Sequence, residues 1–120
     1  MDHGVRVQDI VDKLGCEVAA GPERLDSHVS FGYSGDLLSD VMAGAGPGDV
    51  WVTVQKHQNI VAVGSLTGVS AIVLAGGAKP DPLTVVKADE EGVPLLTTER
   101  SSFEVIGILY LMGIRGRERE

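Results

Sequence analysis

In residues 49–100 the spacing of hydrophobic residues alternates between that of a β-strand and that of an α-helix. This alternation limits the possible folds more than any other feature of the chain. Apolar runs of strand length alternate with stretches of helical spacing, and only short connections separate them. In chain order the five segments are residues 49–54, 59–66, 70–77, 82–91 and 93–98. Repeated strand–helix–strand units of this kind predict an α/β fold with a mostly parallel sheet.

Further segments flank this block and extend the predicted sheet and its helices. They are a helix over residues 5–14, a weak strand over 16–20, a strand over 29–33, a helix over 34–43 and a closing helix over 103–114. Ser34 is the expected N-cap of the fourth segment, and Asp36 would lie in its first turn, where a carboxylate opposes the helix dipole. Ser101 and Glu104 match a capping box before the closing helix. The orientation of the first strand stays open.

Length and composition indicate one globular domain. The chain has 120 residues, 43% of them hydrophobic, and we expect a single domain over residues 1–114 and a charged, disordered tail over 115–120. The formal net charge of −7 disfavours nucleic acid and anionic membranes as partners. Cys16 is the only cysteine, the first residues carry no apolar leader, and no apolar run approaches the roughly 18 residues of a membrane span. These features predict a cytoplasmic location.

Two of the predicted helices are apolar on nearly every side. They contain residues 60–66 and 106–112, and a domain of 120 residues cannot easily enclose both. Each Leu, Ile or Val left in water would forgo about 1.5–3 kcal/mol of burial. The favoured hypothesis is a homodimer in which one of these helices completes its burial against a second copy. The alternative is a central crossover helix that is buried within one monomer.

The carboxyl ends of parallel strands meet at one edge of a sheet, where ligands of α/β proteins bind. Four predicted connections would lie there, within residues 32–36, 55–59, 75–79 and 97–100. Their hydroxyls, glycine amides, imidazole and cations could bind an anionic ligand such as a phosphate. The candidate ligand-binding residues are Ser34, Gly35, Asp36, His57, Gly76, Gly77, Lys79, Thr97, Thr98 and Arg100. Alternatively, the glycines serve tight turns and the hydroxyls cap helices.

No catalytic residue, metal site or cofactor is predicted. His57 has no nucleophile or acid at a diagnostic spacing, and a loop histidine that makes one hydrogen bond is the simpler interpretation. Asp36 and Asp40 would share a helix face and could bind a cation, although acids at a helix start more often oppose its dipole. The glycine-rich loop at residues 43–48 follows a helix and precedes a strand, which is the wrong order for a phosphate-binding loop.

An ordered series of short stretches resembles the DRTGG domain family. It consists of HQNIVAVGSL at 57–66, AIVLAGG at 71–77, PDP at 80–82, GVPLLTT at 92–98, and two upstream stretches at 32–42 and 48–55 that resemble small stand-alone members. The resemblance implies a three-layer α/β/α sandwich, similar to the N-terminal domains of HPr kinase/phosphorylase and of Mur ligases. It also implies a regulatory or interaction role without established chemistry.

One departure from the family pattern limits what can be carried over. The Asp-Arg-Thr-Gly-Gly sequence that names the family is absent, and the matching place at residues 58–62 reads QNIVA. A kinase phosphate-binding loop is absent as well. We therefore expect a non-catalytic regulatory or protein-interaction module that forms a homodimer. The alternative is a sensor that binds a nucleotide or phosphorylated metabolite at the carboxyl ends of the strands, and an enzyme has the least support.

Overall fold

The computed structural model describes residues 4–117, which contain five α-helices, five β-strands and a short 3-10 helix at Pro22–Arg24. The elements follow one another in the predicted alternating order. They are α1 Val7–Leu14, β1 Glu17–Ala20, β2 Gly32–Ser34, α2 Leu38–Gly44, β3 Val50–Thr53, α3 Asn59–Thr67, β4 Ala71–Leu74, α4 Pro82–Glu91, β5 Leu95–Thr97 and α5 Ser102–Leu111.

The strands form one five-stranded sheet in the order β1-β5-β4-β3-β2. Strands β2 to β5 are parallel to their neighbours, whereas β1 pairs with β5 antiparallel. The structure therefore confirms the mostly parallel sheet and settles the orientation of the first strand. A shift in the β1 register between Val18 and Ala20 leaves a bulge in this edge strand.

Helices cover both faces of the sheet, which gives the three-layer α/β/α arrangement. Helices α2, α3 and α4 connect consecutive parallel strands, and right-handed crossovers place all three on the same face. Helices α1 and α5 pack together on the opposite face. The two faces are thus covered unequally, by three helices and by two.

The core consists of two layers of side chains, one on each face of the β-sheet. Trp51 and Ile72 pack with α3 and α4, while Val52 and Val73 pack with α1 and α5. All residues of β3 and β4 are buried, which explains why these strands appear in the sequence as unbroken apolar runs.

Helix α2 begins later than the sequence pattern predicts. Ser34 belongs to β2, and the N-cap of α2 is Leu37, so the prediction of Ser34 as the N-cap was wrong. Asp36 lies in the connection instead of in a first helical turn, and Asp36 and Asp40 therefore do not share a helix face. The Asp36 carboxylate accepts hydrogen bonds from Thr53 Oγ1 (2.7 Å) and from the Val54 amide (3.0 Å), which hold this connection against the end of β3.

The start of the charged tail differs from the expected disorder, because residues 115–117 are held against the domain. Arg117 Nη2 lies 2.7 Å from Oδ1 of Asp49, a fully buried carboxylate, and donates to the Pro47 carbonyl at 3.2 Å. The guanidinium also lies 4.7 Å from the centre of the Phe31 ring. Residues 118–120 of the expected tail lie outside the described residues.

The two edge strands of the sheet are both shielded. Beside β2, the Gly32 amide donates to the Arg115 carbonyl at 2.9 Å, and Gly32 forms a parallel bridge with Gly116. At the other edge, β1 carries the bulge described above. No helix within residues 4–117 is long and apolar enough to cross a membrane.

Candidate functional site

The carboxyl ends of β2, β3, β4 and β5 lie at one edge of the sheet, which we call the carboxyl edge. All four predicted connections leave the sheet there. The strand order nevertheless places β2 and β5 three strand spacings apart, or roughly 14 Å. The ten candidate residues therefore do not converge on one point, and those after β2 are separated from those after β5.

The connections after β4 and β5 diverge to opposite faces of the sheet. The chain leaving β4 enters α4, on the three-helix face, while the chain leaving β5 enters α5, on the two-helix face. Such a divergence opens a crevice between neighbouring strand ends, and it is the usual position of ligand sites in parallel α/β sheets.

A cavity of about 330 Å³ lies at this divergence, and we call it the β4–β5 cavity. Four predicted residues contribute to its wall: Gly77, Lys79, Thr97 and Thr98. Because β1 runs antiparallel to β5, its first residues reach the same place. The remaining lining residues are Gly15, Glu17, Ala19, Ala78, Pro80 and Glu99.

The glycine amides at the carboxyl edge are already engaged by the main chain. The Gly76 amide donates to the Arg100 carbonyl at 2.7 Å, and the Gly77 amide donates to the Thr98 carbonyl at 2.9 Å. Gly35 similarly donates to the Val52 carbonyl at 3.2 Å. These contacts support the alternative in which the glycines serve turns. Gly77 also has a φ of +76°, and a Cβ there would lie 2.8 Å from a Glu99 carboxylate oxygen.

The charged side chains of the cavity are two carboxylates and one ammonium group. Glu17 and Glu99 line it together with Lys79, so its formal charge is negative. Arg100 contributes no cation to the lining, and its Nε donates to the Leu14 carbonyl at 3.2 Å. The cavity is thus suited to a ligand that offers hydrogen-bond donors to the carboxylates and a negative group to Lys79.

Arg100 also lies near Cys16, beside the cavity. Burial raises the pKa of the Cys16 thiol to about 11, and the positive charge of Arg100 partly offsets this rise. A thiol with so high a pKa is almost entirely protonated at neutral pH and is a poor nucleophile.

The remaining candidate residues lie farther along the carboxyl edge. Ser34 is an exposed residue of β2, and Asp36 accepts the hydrogen bonds from Thr53 and Val54. His57 is exposed before α3, and its Nδ1 accepts a hydrogen bond from the Asn59 amide at 3.2 Å. None of the three lines the β4–β5 cavity.

Glu17 and Glu99 were not among the predicted site residues. Glu99 lay inside a predicted connection, but the groups selected there were hydroxyls and cations, which suit an anionic ligand. Glu17 could not be placed because the four residues of β1 carry too weak an alternation to fix its partner or direction. Across residues 4–117, no group of three or more His, Cys, Asp or Glu side chains could hold a metal ion.

A second exposed feature is an apolar strip on α5, which we call the α5 strip. Phe103 is 88% exposed and Leu111 is 86% exposed, and Ile106 and Tyr110 lie between them in sequence and are also exposed. Gly107 is the central residue of the strip. The α5 strip lies in the two-helix layer, and Arg115 covers part of it, with its guanidinium 3.6 Å from the centre of the Tyr110 ring.

Helix α3, the other helix that was predicted to be apolar on nearly every side, is buried on one side only. It lies between α2 and α4, and Ile60, Val61 and Val63 are buried. Its other side is exposed and carries Asn59, Ala62, Ser65 and Leu66, the last at 75% exposure. The alternative of a helix buried within one monomer therefore describes one side of α3.

Comparison with known proteins gives a family and a structural neighbour. The model of the DRTGG domain matches residues 9–112. The crystal structure of the CBS and DRTGG domains of the regulatory region of Clostridium perfringens pyrophosphatase, complexed with the activator diadenosine tetraphosphate, is similar at 18% identity and a TM-score of 0.74. The similarity covers 92% of this chain and 48% of that one, so the chain spans about half of its neighbour. None of the curated proteins matches the chain.

Proposed function

The chain belongs to the DRTGG domain family, and we propose that it is a non-catalytic regulatory or protein-interaction module that acts as a homodimer. The neighbouring fold occurs in the regulatory region of a pyrophosphatase, which supports a regulatory role here. The observation that carries the proposal is the exposed α5 strip.

The α5 strip places several large apolar side chains on one face of one helix. Phe103, Tyr110 and Leu111 are each more than half exposed. Single apolar residues at a protein surface are common, but a contiguous group of this kind indicates an interaction surface. Covering each such side chain would contribute about 1.5–3 kcal/mol before the cost of association.

Sedimentation velocity over a range of micromolar concentrations tests the dimer, with two matched leucine variants. Leu111→Ser removes a side chain that is 86% exposed on the α5 strip, and Leu66→Ser removes one that is 75% exposed on α3. We expect Leu111→Ser to shift the protein towards monomer and Leu66→Ser to leave the dimer intact.

Two results would contradict this proposal in different ways. A wild-type protein that sediments as a 12.6 kDa monomer at every concentration would exclude the homodimer. A dimer that is lost with Leu66→Ser but kept with Leu111→Ser would move the interface from α5 to α3.

The second candidate function is a small-ligand sensor at the β4–β5 cavity. Its support is the position of the cavity between diverging connections and the nucleotide activator bound by the pyrophosphatase regulatory region. That region also contains CBS domains, and this chain spans less than half of it, so the location of the ligand does not transfer. The charges favour a nucleotide or sugar phosphate, whose hydroxyl or amino groups would face Glu17 and Glu99 and whose phosphate would face Lys79.

Thermal unfolding in the presence of nucleotides and phosphorylated metabolites tests the sensor. A ligand at about 100 times its dissociation constant adds about 2.7 kcal/mol, which raises the Tm of a domain of this size by several degrees. Lys79→Ala should remove this shift because Lys79 lines the cavity. Lys87→Ala is the matched control, because Lys87 lies on α4 and pairs with Glu90 at 3.6 Å. A shift that survives Lys79→Ala would place the ligand elsewhere, and no shift across the panel would leave only the interaction module.

A further inference from the structure

We infer that the edge of β2 and the loop before β3 form a docking site for an extended segment of a partner protein that carries an arginine. In the structure the chain's own residues 115–117 occupy this site, and they act as an internal ligand that a partner segment of the same chemistry displaces. The residues that hold Arg117 lie outside the α5 strip, so this docking site is independent of the proposed homodimer.

The Arg117 guanidinium lies in a socket beside the glycine-rich loop at residues 43–48. Asp49, which follows this loop, places its Oδ1 2.7 Å from Nη2 of Arg117 and its Oδ2 3.5 Å from Nε. The Pro47 carbonyl accepts a further hydrogen bond from Nη2 at 3.2 Å, and the guanidinium lies 4.7 Å from the centre of the Phe31 ring. A carboxylate, a carbonyl and an aromatic ring around one planar cation match the donors and the flat shape of a guanidinium group.

Gly46 makes room for the guanidinium within this loop. It is buried, and a Cβ there would lie 2.9 Å from both Cζ and Nη2 of Arg117. An alanine would therefore displace the guanidinium, whereas glycine admits it. The loop lacks the order of a phosphate-binding loop, and the carbonyl and carboxylate at the socket suit a cation instead.

The socket is held in shape by contacts that do not involve Arg117. The Gly46 amide donates to Oδ2 of Asp49 at 2.8 Å, and the Asp49 amide donates to the Gly46 carbonyl at 3.1 Å. The Asp49 carbonyl accepts a hydrogen bond from the Ser70 amide at 2.8 Å. These bonds do not depend on the occupant, so the Asp49 carboxylate stays buried when Arg117 leaves. A buried carboxylate without a cation is strongly unfavourable, and the empty socket therefore favours another guanidinium.

The backbone that precedes Arg117 docks on β2 in the manner of an added strand. The Gly32 amide donates to the Arg115 carbonyl at 2.9 Å, and Gly116 forms a parallel bridge with Gly32. Peptides that bind at a sheet edge gain affinity from main-chain hydrogen bonds and specificity from pockets for their side chains. Here the edge of β2 supplies the main-chain contacts and the socket supplies the side-chain pocket.

Residues 115–117 form a short exposed segment that is tethered to the core at Ile114. All three residues are exposed, whereas Ile114 is only 3% exposed. Such a tethered ligand competes at an effective concentration on the order of millimolar. A partner that presents its arginine with additional contacts can exceed this value and displace the segment.

Chemical rescue with a small guanidinium compound tests the socket. Arg117→Ala empties the socket and leaves Asp49, so methylguanidinium at millimolar concentration should raise the Tm of this variant by roughly a few degrees. Methylammonium is the matched control, since it has the same charge without the planar fork, and it should have a smaller effect. The wild type, in which Arg117 fills the socket, should respond to neither compound.

A labelled peptide tests docking of a separate segment, with fluorescence anisotropy as the measurement. The peptide Arg-Gly-Arg, which has the sequence of residues 115–117, should bind Arg117→Ala roughly tenfold or more tightly than the wild type, because the internal ligand no longer competes for the socket. The matched peptide Arg-Gly-Lys should bind roughly tenfold or more weakly, because an ammonium group cannot make the same paired contacts. Adding Gly46→Ala to Arg117→Ala should abolish binding, because its Cβ fills the space of the guanidinium.

Folding of each variant is checked by near-ultraviolet circular dichroism of the buried Trp51. Arg117→Lys keeps a cation beside Asp49 and replaces Arg117→Ala in the peptide measurement if the alanine variant does not fold. The Arg-Gly-Arg peptide should also bind Arg117→Lys more tightly than the wild type, because the tethered lysine competes less well than the arginine.

Four results would overturn the docking site. Rescue by methylguanidinium without peptide binding would reduce the socket to an internal ion pair, and the absence of both would exclude the socket as well. Equal binding of the two peptides, or binding that survives Gly46→Ala, would indicate a general attraction of cations to a chain with a net charge of −7. A wild-type dimer that withstands Leu111→Ser but is lost with Arg117→Ala would make the segment of a second copy the occupant.

Discussion

Helices α3 and α5 have nearly the same apolar character, but α3 lies in the layer of three helices and α5 in the layer of two. Helix α3 is the middle helix of the three-helix layer and buries Ile60, Val61 and Val63 between its neighbours. Helix α5 has only α1 beside it, and it leaves Phe103 and Leu111 in solvent. Composition alone therefore does not decide whether an apolar helix is enclosed. The number of helices that lie beside it in the same layer decides this.

The largest expected effect comes from truncating a matched pair of isoleucines. Ile60→Ala on α3 removes a side chain that is 1% exposed and should lower the free energy of unfolding by about 2–5 kcal/mol. Ile106→Ala on α5 starts from 40% exposure and should cost less than about 2 kcal/mol. Urea unfolding at low protein concentration measures both values for the monomer. Equal losses would mean that α5 is as enclosed as α3.

The next largest effect comes from removing the contacts that hold the segment after α5 against the domain. Arg117→Ala leaves the buried Asp49 carboxylate with the Gly46 amide (2.8 Å) but without a cation, and should cost about 2 kcal/mol. Arg115→Ala removes a guanidinium that stacks on Tyr110 and should cost about 0.5–1 kcal/mol. Urea unfolding compares the two variants. A larger loss for Arg115→Ala would show that the ring contact, and not the buried ion pair, fastens this segment.

Substituting alanine for a glycine should change the stability less, and in opposite directions on the two helices. At Gly64 on α3, an added Cβ would lie 3.1 Å from an Ile72 side-chain carbon, and the crowding should outweigh the gain in helix propensity by about 1 kcal/mol. At Gly107 on α5 the space is open, and Gly107→Ala should stabilise the monomer by about 0.5–1 kcal/mol. Unfolding curves at concentrations that disfavour the dimer test the signs, and a gain at Gly64 would contradict the tight packing of α3.

The smallest expected effect is a dependence of stability on pH that reports on the two-helix face. Cys16 packs beside the cluster under α1 and α5, and its thiol has a pKa of about 11, compared with 9.0 for an ordinary thiol. The contribution of this thiol to the free energy of unfolding is fully present below about pH 9. It is lost as the pH rises towards 11, because the thiol ionises in the unfolded chain before it ionises in the folded one. Urea midpoints at pH 8 and pH 10 should differ more for the wild type than for Cys16→Ser. An equal difference would indicate that solvent reaches the thiol freely.

Local signals in the sequence were sufficient for much of the central block. Helix α4 has the predicted bounds, Pro82–Glu91, because Pro82 sets its first turn and Gly92, with a φ of +68°, ends it. The Ser101 cap was also correct, since its side chain accepts a hydrogen bond from the Glu104 amide at 3.2 Å. Apolar runs between glycines were enough to place the strands β3 and β4.

Contacts between distant parts of the chain could not be predicted in the same way. Arg117 and Asp49 are 68 residues apart, and no local pattern marks either as the partner of the other. The β4–β5 cavity depends on the antiparallel placement of β1, which a four-residue strand does not specify. The position of α3 between two helices and of α5 beside one is likewise a property of the topology, which is visible only when the layers are assembled.

The shielded edges of the sheet also determine how copies of the chain can aggregate. Strand addition needs a row of unpaired amides and carbonyls in register, and it can repeat without limit to give fibres. The bulge at Val18 and Ala20 breaks that row on β1, while the Arg115 carbonyl already occupies the Gly32 amide on β2. The proposed pairing through α5, in contrast, would use the same surface on both copies and would end at two. Self-association of the kind we propose would thus give a closed pair and not a growing filament.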